Sequence, residues 1–556
     1  MKEKVSVVSA GALPERVKAL VEASARLVTM VGTDERESDG SYILRYMFRV
    51  PAGQAGEPQT AEPQDATGTR DAAASAALET LLVRLDPTDP SFPSVTPILP
   101  AAQWYEREVQ DLLGLVPMGH PDPRPLVLHE PWPPGYYPLR KDFVPPTAEA
   151  GCHGEPGRPP EINPRVVGEG IIAIPVGPIH AGIIEPGHFR FGAVGESVLH
   201  LEARLFYTHR GLEKQAEGKD LDEGLFIAER MCGACNVSHA ISYCQAVENA
   251  LGLQVPRRAA YLRTLYLELE RLYNHVGDVG NVCAGVGFAF GVSHGSRLKE
   301  KLQRLNAELT GHRFLRGAQA VGGVRQDLFP EAVRRMEAVL REVEAEFDEL
   351  TEVLFSNTSV MDRFATTGVL SPQVARDLGV VGVAARASGL PLDARRDWPH
   401  AAYDELPFSV VTKRAGDVLA RVRVRVGEVA ESLAIIRAAL AGLPKGDVRL
   451  DPADVIAAAA AAAAGAAAAS AHAAAAPGAA DGTAGWRTGL GITESPRGEN
   501  VHWVMLAPDG RIARLRVRSA SFTNWPAVPL TVPGNIVPDF PLINKSFELC
   551  YSCLDR

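Results

Sequence analysis

An α+β domain followed by a larger, mainly α-helical domain is the fold class this sequence predicts, and three observations predict it. The run Ser41-Tyr-Ile-Leu-Arg-Tyr-Met-Phe-Arg-Val50 is β-branched and aromatic, as a strand is, and stands where helix and strand signals alternate. Pro, Gly and charged residues crowd positions 149–168, the composition of a linker. Beyond it, residues 257–276, 296–311 and 330–354 repeat apolar side chains at three- and four-residue spacing, the period of helices packed in a bundle. The expected domains are therefore residues 1–148 and 169–556.

Within the first domain, residues 51–75 are rich in Gly, Pro, Gln, Ala and Thr and read as a flexible insertion without a core. Regular structure resumes at 78–85, and the Pro-rich 86–100 returns to loop. A short charged helix follows from Trp104 and runs into a Gly/Pro turn. In the second domain, 198–207 and 408–411 are too short to assign. Residues 457–485 are almost all Ala, an exposed helical or disordered insertion in which His472 is incidental. Strand-like runs return at 500–506 and 512–517, before a Pro-rich approach to the last cysteines.

Composition narrows the function. A net charge of -10 argues against nucleic acid, which is bound through basic phosphate contacts. No apolar run approaches the roughly 20 residues that span a bilayer, and Met-Lys-Glu-Lys-Val-Ser lacks the pattern of a secretory signal. The expected location is the cytoplasm, with any membrane attachment made through partners. Seven cysteines in 556 residues, four of them in C-x-x-C pairs, do not resemble a disulfide framework.

Those pairs are Cys232 with Cys235 and Cys550 with Cys553, and each places two sulfurs on one turn. Brought together they form a four-thiolate site suited to zinc, an iron–sulfur cluster, or nickel with iron. Spacing alone favours structural zinc. Arg230 before the first pair, His239 four residues after Cys235, and Glu548 two before Cys550 tilt the balance. A reactive metal uses such groups to orient ligands and move protons, whereas structural zinc needs none.

Two resemblances sharpen this reading. Trp104-Tyr-Glu-Arg-Glu-Val-Gln-Asp-Leu-Leu-Gly-Leu-Val-Pro-Met-Gly-His-Pro-Asp-Pro-Arg124, with Pro138-Leu-Arg-Lys-Asp-Phe143, resembles the signature of the 30-kDa subunit of respiratory complex I. That implies an α+β docking domain without chemistry of its own. Arg230-Met-Cys-Gly-Ala-Cys-Asn-Val-Ser-His239 and Cys550-Tyr-Ser-Cys553 resemble the metal-binding motifs of nickel–iron hydrogenase large subunits, in the complex-I-related, membrane-associated group. The likeness extends through Gly177–Arg190, Tyr207–Lys214 and Glu494–Glu499, and so implies a hydrogenase large-subunit or complex I 49-kDa-subunit-like fold for residues 169–556.

What the resemblance implies can be placed residue by residue. Cys232 and Cys550 would be terminal thiolates on nickel, and Cys235 and Cys553 would bridge it to an iron carrying carbon monoxide and cyanide. His239 would hydrogen-bond the sulfur of Cys235, Arg497 would stand over the open metal position, and Glu185 would begin proton transfer from a cysteine sulfur. Arg230 and Glu548 would line the cofactor, and Glu213 matches a position that binds magnesium in some relatives. Plainer alternatives are a turn arginine for Arg497, a solvated carboxylate for Glu185, a helix histidine for His239 and a helix-surface carboxylate for Glu213. Two departures stand out: Glu548-Leu549 replaces the usual Asp-Pro, and Arg556 replaces a terminal His, which puts the magnesium site in doubt. Many relatives are made with a tail clipped after nickel insertion; Arg556, three residues past Cys553, suits a processed form or a maturation without cleavage.

The remaining cysteines, Cys152, Cys244 and Cys283, are too scattered to hold an iron–sulfur cluster. The resemblance therefore implies a small iron–sulfur partner like the 20-kDa subunit of complex I, ferredoxin-like and integral membrane subunits, and maturation factors for nickel insertion. It places the chain on the inner face of the cell membrane through those partners. The expected activity is reversible H2 oxidation. The alternatives are a quinone-reducing subunit of a complex-I-like oxidoreductase, against which the four cysteines count, and a zinc-bearing scaffold.

Overall fold

The computed structural model describes residues 3–51, 77–129, 132–146, 168–180, 184–460 and 485–556. The chain divides into two compact units, Met1–Glu155 and Pro156–Arg556. The expected linker falls outside the described residues except for Gly168, and so does Cys152. The expected insertions also fall outside them, except for Pro51, residues 457–460 and Gly485.

The first unit is built on a four-stranded sheet in the order Glu3–Val7, Ala77–Leu85, Ser41–Val50, Arg26–Glu35. The first pair is parallel and the other two antiparallel. The charged helix of the sequence reading, Gln103–Leu113, is largely buried and is held by its acids. Glu106 accepts from Val95 N at 2.8 Å, Ser94 Oγ at 2.5 Å and Thr96 Oγ1 at 2.7 Å. Asp111 accepts the backbone N–H groups of Leu126, Val127 and Leu128 at 2.8, 2.8 and 3.1 Å. Arg107 reaches Asp122 and the carbonyls of Arg124 and Pro125. The motif residues thus knot a helix to the loop that follows it. Residues 86–100, expected as loop, include the short strand Ser91–Pro93, which pairs with Val116–Met118.

In the second unit the long helix Arg257–Ala284 is buried nearly all round and lies at the centre of the core. It packs against Ala289–Thr310, Val418–Ala441 and Phe540–Phe547. Two three-stranded antiparallel sheets accompany the bundle, and the strand-like runs expected at 500–506 and 512–517 are strands of one of them. One comprises Ile171–Val176, His188–Val194 and Ser197–Arg204, so the unassigned run at 198–207 is mostly strand. Only Val198 and Leu201 of that last strand are deeply buried, which weakens its alternation. The other comprises Arg487–Ser495, Gly498–Leu506 and Ile512–Arg518.

This second sheet lies directly on the helix Asn236–Leu251. A Cβ on Gly489 would come 2.0 Å from Ala246 O, and one on Gly491 would come 1.8 Å from Ser242 O. Only glycine lets strand and helix backbones approach so closely. The contact fixes the hairpin tip Pro496-Arg497 against the helix that begins just after Cys235.

Asp111→Ala leaves three backbone N–H donors unpaired, at a cost of about 3 kcal/mol or more. Faster amide hydrogen exchange at Leu126, Val127 and Leu128, with a smaller effect for Asp111→Asn, is the expected result. Unchanged protection in Asp111→Ala would mean the carboxylate does not hold this loop.

Candidate metal centre

The first cysteine pair sits where Leu221–Ala228 ends and Asn236–Leu251 begins. Cys235 is the N-cap residue, yet its thiol caps nothing. Instead Glu270, from the central helix, accepts Val237 N at 2.6 Å and Ser238 N at 3.0 Å. A carboxylate from another helix thus satisfies the orphan donors of the first turn and leaves the Cys235 sulfur free. Burial, with the charge of Cys235 adding to it, pushes Glu270 up to about 8. The second pair opens the short helix Tyr551–Asp555. In both pairs the first sulfur accepts the N–H of the second cysteine, Cys232 from Cys235 at 3.3 Å and Cys550 from Cys553 at 3.4 Å.

The pairs meet. Cys232 Sγ lies 3.3 Å from Cys550 Sγ across 318 residues of chain. The sulfurs of Cys232, Cys235 and Cys553 all lie within 4.8 Å of one another, and those three residues are buried. Cys550 is more open and packs against this cluster. Four soft sulfurs on two turns suit a thiophilic metal pair. The donor set therefore fits a nickel–iron centre.

Arg497 faces the sulfurs, with Nη1 3.6 Å from Cys235 Sγ. Nε donates to Glu548 O at 2.7 Å, Nη1 to Asn274 Oδ1 at 3.0 Å, and Nη2 lies 4.0 Å from Asp278 Oδ1. Burial works against the charge on this guanidinium, but Cys235 and Asp278 hold it protonated. Burial pushes Asp278 up, yet His275, Arg497 and Arg425 outweigh it and hold the carboxyl down at about 2. His239 Nε2 stands 3.5 Å from Cys553 Sγ. The resemblance implies Cys235 as its partner, and the structure shows Cys553 instead. The helix places His239 above the cluster, where the sulfur arriving from the C-terminal pair is the one it meets.

Glu185 accepts Ser552 N at 2.8 Å and also the Ser552 hydroxyl, so it touches the residue between Cys550 and Cys553. Of the two expected cofactor residues, Arg230 lies elsewhere and Glu548 reaches the site through its backbone. Arg230 turns outward, its guanidinium 3.3 Å from the Phe226 ring centroid and its Nη1 donating to Phe226 O at 3.1 Å. The i,i+4 spacing at the end of a helix makes that stacking local and favourable. Glu548 adopts a left-handed conformation with φ 52° where the preceding helix ends. Its carboxylate takes Asn281 Nδ2 at 2.6 Å, and it is its carbonyl that reaches the site, through Arg497. Glu213 accepts Arg556 Nη1 at 3.0 Å and Val517 N at 2.7 Å, so a guanidinium and a peptide N–H engage the carboxylate suggested for magnesium.

The buried polar and charged residues of the central helix were not anticipated from the sequence. Glu268, Glu270, Arg271, Asn274, His275 and Asp278 all face inward. Ionisable residues at core positions of a helix buried on every side are the signal that could have found them. Deeper in, Glu428 joins Arg386 Nε at 2.7 Å to His275 Nε2 at 2.8 Å, and Glu494 takes Arg386 Nη1 at 2.8 Å and Ala394 N at 2.9 Å. Burial pushes Glu494 up to about 7, against the pull of Arg386 and with Asp393 adding to the rise.

A carboxyl that binds its proton more tightly when folded adds stability at low pH and loses it as pH rises from the ordinary 4.5 to about 7. Glu494→Gln removes that loss, which is on the order of 3 kcal/mol. Thermal unfolding should therefore show the variant gaining on the wild type as pH rises through this window. A difference that stays flat would mean that Glu494 is ionised throughout.

Three family descriptions match the chain. Residues 6–149 match the respiratory-chain NADH dehydrogenase 30 Kd subunit, 210–278 match nickel-dependent hydrogenase, and 286–556 match the 49 Kd subunit of the same dehydrogenase. Formate hydrogenlyase subunit 5 of Escherichia coli (strain K12) is 35% identical over 98% of this chain and 87% of that protein. Hydrogenase-4 component G of the same organism is 35% identical over 100% of this chain and 88% of its own. Among solved structures, a chain of the archaeal membrane-bound sulfane sulfur reductase superposes with a TM-score of 0.61 at 25% identity, covering 69% of this chain and 98% of that one. The chain thus belongs to the nickel-dependent hydrogenase family, in the group whose large subunit joins relatives of the 30-kDa and 49-kDa subunits of respiratory-chain NADH dehydrogenase.

Proposed function

We propose that this chain is the catalytic large subunit of a membrane-associated nickel–iron hydrogenase that exchanges electrons with an iron–sulfur partner subunit. The observation that carries the reading is the convergence of four cysteine sulfurs beneath a buried arginine. Cys232, Cys235, Cys550 and Cys553 would hold nickel and an iron bearing carbon monoxide and cyanide. Bound there, the metal pair supplies the two-electron interconversion of H2 with two protons and two electrons.

The chain's own residues would do the rest. Arg497 would hold a fixed positive charge beside the sulfurs, where developing negative charge is stabilised without reorganisation. His239 directs Nε2 at Cys553 and can tune the basicity of that sulfur. Glu185 would take a proton at its carboxylate from the Cys550 side of the cluster, and Ser552 holds that carboxylate in place. Cys244 and Cys283 are free and buried away from the cluster, so electrons would leave through clusters carried by a partner like the 20-kDa subunit of complex I. Among the described residues no helix is long and apolar enough to cross a membrane, so attachment would come through ferredoxin-like and integral membrane subunits. The first unit would serve that docking. With Arg556 on Glu213, the charge that magnesium would supply at that carboxylate is provided by the chain itself.

Purification with its partners, elemental analysis and infrared spectroscopy test the reading. One nickel and one non-cluster iron per chain, with bands of metal-bound carbon monoxide and cyanide, are expected. Cys235→Ser and Cys553→Ser should abolish both metal retention and activity. Arg497→Lys should keep the metals while turnover falls about a hundredfold or more, since a point charge on a flexible stem does not replace a fixed fork. Zinc, or a folded complex without diatomic bands, would overturn the hydrogenase reading in favour of a quinone-reducing or scaffold subunit. Full activity in Arg497→Lys would overturn the role of that arginine alone.

A further inference from the structure

We infer that Asn274 is the positioning residue that sets the Arg497 guanidinium over the sulfurs and ties it to the first cysteine loop. The inference rests on the hydrogenase reading. Asn274 lies on the central helix and is 1% exposed. Its Oδ1 accepts Arg497 Nη1 at 3.0 Å. Its Nδ2 donates to Ala234 O at 2.8 Å and to Glu270 O at 2.8 Å.

The polarity of these partners orients the amide uniquely. A guanidinium only donates and a peptide carbonyl only accepts, so the oxygen must face Arg497 and the nitrogen the two carbonyls. No other side chain of this size offers both. Aspartate would set a carboxylate against the carbonyls of Ala234 and Glu270. Leucine, of similar volume, would leave an arginine N–H unpaired in a buried place.

The two ends of the amide serve the two halves of the site. Ala234 lies between Cys232 and Cys235, and its N–H donates to Cys232 Sγ at 3.1 Å. The residue whose N–H steadies one sulfur therefore has its carbonyl held by the amide that aims Arg497. Nη1 carries two hydrogens, and with one on Asn274 the other is directed at Cys235 Sγ, 3.6 Å away. Without the amide, Arg497 keeps Glu548 O through Nε, the long approach to Cys235 Sγ and the more distant Asp278, none of which fixes the Nη1 end of the guanidinium at ordinary hydrogen-bond distance.

The test compares Asn274→Leu, Asn274→Asp and Arg497→Lys, singly and with Asn274→Leu and Arg497→Lys combined, in the metal-loaded complex. Nickel and iron content, the infrared bands of carbon monoxide and cyanide, and kcat and KM for H2 are the readouts. Asn274→Leu should retain both metals, shift the diatomic bands, and lower kcat about a hundredfold with KM little changed, as loss of one oriented donor does. Asn274→Asp should also fall short of wild type, because it keeps only the Arg497 contact. The double variant should be no worse than Arg497→Lys alone, since both changes remove one device. Wild-type bands and kcat in Asn274→Leu would overturn the inference. So would losses that multiply in the double variant, or nickel loss in Asn274→Leu, which would make the residue part of the scaffold only. The wild-type spectrum separates the two failures: bands absent there refute the hydrogenase reading itself, and bands present but unmoved in the variants refute only the role of Asn274.

Discussion

Four sulfurs from two turns 318 residues apart must be held together in a buried place, and the rest of the second unit answers to that demand. Burial opposes ionised thiols, and adjacent thiolates repel one another. The chain meets this with guanidinium groups that grip backbone carbonyls flanking each incoming segment. Arg210 donates to the carbonyls of Arg230, Met231 and Ser552, so one side chain touches both cysteine motifs. Arg425 holds Ser546 O and Phe547 O, just before the second pair. Arg271 holds Glu494 O and Ser495 O, just before the hairpin tip that carries Arg497. A charged donor on a carbonyl is worth roughly 1.5–3 kcal/mol, and its fork geometry fixes direction as well as distance.

Arg271 and its neighbours Arg386 and Arg395 need counter-charges, which accounts for an ionic array where a bundle would ordinarily be apolar. Glu268, Asp393, Glu428 and Glu494 thread between Arg271, Arg386 and Arg395 at distances near 3 Å. Such an array is weak evidence of stability, because well-packed apolar residues of similar volume often do as well. Its value here is positional. An apolar core could not grip the carbonyls that deliver Arg497 and Cys550. The glycine contact at Gly489 and Gly491 works to the same end from the other side, bringing the hairpin onto the cysteine helix by backbone contact alone.

What the sequence made legible follows from the range of each interaction. The cysteines were readable because C-x-x-C geometry is local, and Ser41–Val50 because strand composition is local. The apolar period found the long helices but undershot their ends, as with 257–276 against the observed Arg257–Ala284. The polar stretch from Asn274 to Asp278 falls where the apolar period fades, yet it lies within the helix, and Asn274 and Asp278 are buried against Arg497. His239 could be placed near a sulfur by its distance from Cys235, yet which sulfur it meets depends on a segment more than three hundred residues away. The side chains of Arg230 and Glu548 take other partners for a related reason. Adjacency in sequence to a ligand sets where a backbone lies and leaves the side chain to local competition, which Phe226 and Asn281 won.

The segment that brings in Cys553 shows how far local propensity is from sufficient. Tyr551–Asp555 is a helix of 5 residues, too short to be stable alone, so contacts outside it must fix its orientation. Each stage of it is tied. Ser552 is held by Glu185, Asp555 accepts Phe206 N and Thr208 N, and Arg210 N donates to Arg556 O. The Arg556 guanidinium then pairs with Glu213, itself buried. Two of these ties join opposite formal charges or a carboxylate to peptide N–H groups in a dry setting, where removing either partner strands the other. A divalent ion on Glu213 could supply positive charge but not the covalent link to Cys553. Using an arginine three residues past the sulfur makes the electrostatic anchor and the ligand segment one piece, so that whatever seats Arg556 on Glu213 also seats Cys553 beside His239.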